Sequence, residues 1–127
     1  MHFREFWPIY LKSHRHPMTR GAHYLATLVG ASSAAVAASP AAPWWVMAGG
    51  IAAAYAIAFA SHWLIEHNNP CVLRNLRVMT FLLGARADIR MCVMAISGRT
   101  TAEYRRLGLG EARRTPGKLA AGRSLGS

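Results

Sequence analysis

The chain has 127 residues, 53% of them hydrophobic, with a formal net charge of +10. That length fits one domain, and two cysteines are too few for a disulfide framework, so Cys71 and Cys92 read as buried thiols. Apolar residues fill the middle while arginines occupy both ends, which argues for a membrane protein with basic flanks and against a uniformly basic soluble domain.

The opening stretch, MHFREFWPIYLKSHRHP, lacks the basic-then-apolar order of a signal peptide, so targeting falls to the first apolar helix. From Arg20 to Glu66 there is no Lys, Arg, Asp or Glu in between, and only His23 and His62 titrate near neutrality. This window is about twice the roughly 20 residues of one membrane span. It is broken at SPAAP, Ser39 to Pro43, because each proline removes a backbone donor and disfavours helix in the residue before it. A helical hairpin is predicted, with helix one at about 18–38 and helix two at about 44–67. Helix one is rich in Ala, Ser and Gly, and helix two carries Gly49, Ala52, Ala53, Ala56 and Ala60; small residues let helices approach closely. Trp44 and Trp45 fall where an interfacial aromatic belt belongs. A soluble alanine-rich hairpin is the alternative.

After Pro70, the segment VLRNLRVMTFLLGARADIRMCVMAISG reads as helical with a break near Gly84. Arg74, Arg77, Arg86 and Arg90 suit it to the interface more than to a span, since a mid-bilayer Arg costs at least ~2.5 kcal/mol. The predicted fold is therefore all-α: a transmembrane hairpin plus an interfacial or partly embedded third segment. Residues 1–98 form the membrane domain, and 99–127 a basic, disordered cytoplasmic tail. Lys12, Arg15 and Arg20 before the hairpin and Arg74 and Arg77 after it place both termini in the cytoplasm. A hairpin so rich in small residues is expected to self-associate as a homo-oligomer or to pack on its own third segment.

Helix two ends in a cluster of candidate ligands, HWLIEHNNP. His62 and Glu66 are four apart and share a face. Counted from the turn at 1.5 Å per residue, His23 and His62 differ in depth by only ~5 Å. His14 and His16 lie just outside helix one, His67 follows Glu66, and Asp88 returns from the third segment. Imidazole and carboxylate together suit Fe(II), Zn(II) or Mn(II). Other chemistries are excluded. A ferritin-like di-iron site needs about four carboxylates, HWLIEH is one residue too long for H-x-x-E-H, and there is neither a CxxC pair nor a glycine-rich phosphate loop.

The stretch FREFWPIYLKSHRHPMTRGAHYLATLVG, the block HWLIEHNNP and the weaker ADIRM resemble the Mpo-like family of 2-hydroxy fatty acid dioxygenases over roughly residues 3 to 98. The gap from Glu66 to Asp88 is a few residues longer than the family pattern, and the short, Arg- and Ala-rich chain resembles a bacterial branch, which implies a bacterial inner membrane. The resemblance implies a multi-helix membrane protein that uses Fe(2+) and molecular oxygen to remove one carbon from a 2-hydroxy fatty acid. It also implies iron ligation by His14, His23 and His62, with Glu66 a further ligand or an anchor behind them. Asn68 and Asp88 then fall to supporting roles, and Arg20, one turn from His23, is expected to pair with the substrate carboxylate. The rival reading is a non-enzymatic membrane scaffold that binds anionic lipid or an acidic partner through its basic end; residues 99–127 carry seven basic and two acidic side chains. Nucleic acid is not an expected partner, because no aromatic–basic interleaving accompanies the arginines.

Overall fold

The computed structural model describes residues 1–110, and among them every regular element is helical. Helix α1 is Phe3–Lys12, α2 Pro17–Ala37, α3 Trp45–Ser61, α4 Val78–Ile96 and α5 Thr100–Arg106; a π turn, His62–Glu66, continues α3, and a 3-10 turn covers Cys71–Arg74. The expected hairpin is present as α2 and α3, joined through the proline-bearing turn.

Small residues set how closely the hairpin closes. A Cβ added at Gly50 would overlap the Ser33 side chain, and one at Gly30 would lie 3.7 Å from Ala54 Cβ. The hairpin's outward side chains are apolar and exposed, among them Leu25, Leu28, Trp44, Trp45, Ile51 and Leu64. Of the described helices, the continuous run Trp45–Glu66, with mean hydropathy 1.4, is the one long and apolar enough to cross a membrane; α2 does not reach that hydropathy. The alanines, serines and glycines that let α2 approach α3 are the reason.

The main core lies at the base of the hairpin. Phe6, Trp7, Tyr10 and Leu11 of α1 pack with Ala87, Met91 and Met94 of α4 and Tyr104 of α5. Along α1 the rings of Phe3, Trp7 and Tyr10 stack at 5.8 and 5.9 Å, and His14 continues the column 4.0 Å beyond Tyr10. These positions are three or four apart, so one helical face aims all four rings.

Two expectations need correction. The third segment does not break at Gly84; α4 runs through it, and the glycine is there because a Cβ would come within 3.0 Å of Val72 Cγ1. The break falls earlier, at residues 75–77. The tail expected to begin at residue 99 holds α5 instead. Gly98 takes φ +67°, the left-handed conformation that closes a helix C-terminus, and the Arg99 N–H returns to Met94 O at 2.9 Å. The chain so reversed buries Tyr104, whose hydroxyl donates to the carbonyls of His14 and Leu11. The rest of the expected tail, 111–127, lies outside the described residues.

Glu103 fastens α5 to α1 and α4. Its carboxylate accepts from Arg106 at 2.7 and 2.8 Å, from the Trp7 indole at 2.9 Å and from Arg90 at 3.5 Å. The Arg106 hydrogen bonds, with smaller help from Trp7, hold its pKa down at about 2.

Two stability measurements follow from this packing. Gly50→Ala should lower thermal stability by about 1–3 kcal/mol through overpacking, and Ser33→Gly in the same chain should restore most of it; additive losses would contradict the close approach. Because Glu103 titrates lower when folded than its ordinary 4.5, it stabilises the fold above that value and the contribution fades as pH falls towards 2. Glu103→Gln should therefore melt lower at neutral pH and lose stability less steeply between about pH 4.5 and 2 than the wild type.

Candidate metal centre

Three histidines from three different elements meet beneath the hairpin. His14 follows α1, His23 lies in the second turn of α2, and His62 opens the π turn; all three are buried. Their ring centroids are 4.2, 4.5 and 5.2 Å apart, with every pair of planes close to perpendicular. One nitrogen from each lies within 4.8 Å of the other two.

The hydrogen bonds behind the rings decide what faces inward. His14 Nδ1 is 2.6 Å from the Tyr10 carbonyl oxygen, which can only accept, so the proton is on Nδ1. His23 Nδ1 donates to Asp88 Oδ1 at 2.7 Å, and that oxygen also accepts from the Tyr10 hydroxyl. His62 Nδ1 is 2.8 Å from Asn68 Oδ1. The amide's orientation is fixed by its other end, since Nδ2 donates to the Ser13 carbonyl at 3.3 Å, leaving Oδ1 as an acceptor and His62 Nδ1 as the donor. In each neutral ring the proton is spent on Nδ1, and the lone pair is on Nε2.

Three lone pairs therefore share one small volume, with His14 and His23 Nε2 only 3.1 Å apart. Two bare lone pairs at that distance repel. Around a single ion, two nitrogens each at about 2.1 Å and at a right angle lie about 3 Å apart, so the spacing fits shared coordination. Burial, then the facing His23 and His62 rings, push the His14 pKa well below its ordinary value, so that ring keeps its lone pair. The three-histidine cluster can hold a metal ion.

Local chain geometry explains how His62 and Asn68 come together. The π turn widens the end of α3, and His67 adopts φ +53°, the left-handed region uncommon outside glycine. The chain turns back so that the Asn68 N–H bonds His62 O at 3.0 Å and its side chain lies behind the imidazole. His67 itself is exposed and stands apart from the cluster.

The remaining candidates have different duties. Glu66 Oε1 accepts the His16 N–H at 2.5 Å, joining the end of α3 to the start of α2. Arg20 donates to the carbonyls of Arg15 at 2.9 Å and His14 at 3.4 Å and lies over the Tyr104 ring. Neither residue lines the cavity beside the cluster, and Arg20 here anchors the loop that carries His14. His16 caps α2 by accepting the Met18 N–H at 3.2 Å. The sequence reading missed Tyr10, although it is four residues before His14, the spacing that stacks two rings on one helical face.

The cluster closes one end of a cavity of about 290 Å³. Its walls are small and apolar, with Ala26 and Gly30 from α2, Ala54 and Ala58 from α3, and Gly84 from α4; Asp88 and Cys71 add polar groups. Phe81 meets Tyr55 at 5.5 Å and Asp88 meets His23, so α4 runs in the same sense as α3 along this space.

With this geometry in view, comparison with known proteins gives one match. The family model described as 2-hydroxy-palmitic acid dioxygenase Mpo1-like matches residues 1–100. No curated protein and no solved structure matches the chain.

The supports behind the rings should be measurable through metal affinity. Asn68→Ala and Asp88→Asn should each weaken binding about 10–100-fold in an anaerobic competition titration. His62→Ala should weaken it further, and His67→Gly should leave it unchanged. Equal affinities for Asn68→Ala and wild type would show that the outer hydrogen bond does not orient the ligand.

Proposed function

Because the chain belongs to the Mpo1-like family, we propose that it is a non-haem Fe(II) dioxygenase acting on 2-hydroxy fatty acids, with His14, His23 and His62 as the iron ligands. The observation that carries this reading is the convergence of three buried imidazoles, each with its lone pair turned inward, at one end of an apolar cavity. His14, His23 and His62 would hold the iron through imidazole nitrogens, with no carboxylate among the three donors. Bound iron supplies the Lewis acidity and the electron exchange with oxygen that amino-acid side chains lack.

The chain's own residues do the positioning. Tyr10 O, Asp88 and Asn68 hold the three rings in one tautomer and one orientation, so little reorganisation is needed on binding. The Tyr10 phenol has its pKa raised well above 10, by burial first and by Asp88 next, so it stays a proton donor to that carboxylate. Glu66 and Arg20 act one step further out, fixing the loop between α1 and α2 from two sides. The largely apolar walls suit an acyl chain.

The exposed apolar surface of the hairpin supports a membrane setting, with α3 in lipid and the histidines at its cytoplasmic end. A lipid substrate would then reach the cavity from the phase in which it is dissolved. Large contiguous apolar surface is otherwise costly to expose to water.

Purification without oxygen should yield iron with the wild type and little with His62→Ala. Oxygen uptake should depend on a 2-hydroxy acyl substrate and be lost in that variant. Ala58→Leu should retain iron but shift the preference to shorter acyl chains. Iron-loaded wild type that consumes no oxygen with any 2-hydroxy acid would overturn the proposed reaction.

A further inference from the structure

A second concavity lies on the other side of α1 and has no part in the reaction proposed above. It has a volume of about 330 Å³ and is lined by Arg4, Trp7, Pro8, Arg90, Arg106 and Leu107. Three helices, α1, α4 and α5, each contribute a guanidinium.

The charge balance there is uneven. Glu103 is the carboxylate beside the pocket, and Arg106 engages it through two hydrogen bonds. Arg90 reaches it at only 3.5 Å, and its guanidinium is 4.6 Å from the Trp7 ring centroid. Glu5 is turned away, accepting the His2 N–H at 3.2 Å at the start of α1. Arg86 adds a further cation nearby, 4.4 Å over Phe3. Three guanidiniums against one carboxylate leave the pocket with an excess of two positive charges.

Collecting like charges in a concave site is unfavourable unless an anion shares it. Guanidiniums match phosphate oxygens in pairs, and the Trp7 stack and the Glu103 brace hold two of them in place beforehand. We infer that the concavity formed by Arg4, Arg90 and Arg106 binds a phosphate group, carried either by an anionic phospholipid or by a free phosphate. The headgroup source rests on the membrane setting proposed above, whereas free phosphate needs no membrane.

The test uses the full chain in neutral detergent and reads melting temperature at constant ionic strength. Inorganic phosphate is titrated against chloride, and soluble short-chain phosphatidylglycerol against short-chain phosphatidylcholine. A saturable upward shift with phosphatidylglycerol alone assigns the site to a headgroup, and a shift with inorganic phosphate as well assigns it to the phosphate ion itself. Arg4→Gln should weaken binding several-fold and Arg4→Gln with Arg90→Gln at least tenfold, while Arg106 is kept so that the Glu103 brace survives. Arg74→Gln with Arg77→Gln removes the same charge elsewhere and should leave binding unchanged. Equal loss in that control, or no saturable shift with either phosphate probe, would overturn the inference.

Discussion

The centre depends on where three protons are. Each imidazole gives its Nδ1 proton to an acceptor behind it, a backbone carbonyl for His14, a carboxylate for His23 and an amide oxygen for His62. Three lone pairs must then point at one another in a buried space, an arrangement that a cation resolves. The carboxylate can carry a charge that the two neutral amide oxygens lack, so the three rings are unequal donors. His23, backed by Asp88, has the most electron-rich support.

Much of the remaining structure holds these acceptors in place. The short loop between α1 and α2 is tied from every side: Glu66 takes the His16 N–H, Asn68 reaches Ser13 O, Arg20 reaches the carbonyls of His14 and Arg15, and Tyr104 reaches His14 O. Those contacts come from three separate parts of the chain, α2, residues 66–68 and α5. Glu66 and Arg20 thus serve the loop's backbone, while Asp88 is the charged group set directly behind a ligand ring.

The hairpin was legible because its signals are local. A long window without charge and two prolines place α2, the turn and α3 within a residue or two. The histidine trio was legible partly from depth, since His23 and His62 lie at matching distances from the turn, and otherwise from family resemblance. What escaped depends on tertiary contact. Pro8 interrupts the pattern of α1, Gly84 suggests a break that packing against Val72 explains otherwise, and α5 holds its place through Tyr104 and Glu103 more than through any periodicity. Spacing along a helix also does not reveal that Arg20 meets the carbonyls of His14 and Arg15.

The π turn has a mechanical consequence. The rotational setting of α3 is fixed far from the histidines, where Gly50 lies against Ser33. Glu66 and Asn68 need a different setting, dictated by the loop after α1. A wider coil at residues 62–66 takes up the mismatch, much as a compensating joint lets two rigid shafts keep separate angles. His62, at the head of that coil, keeps the register of α3, while the residues beyond it turn to meet the loop.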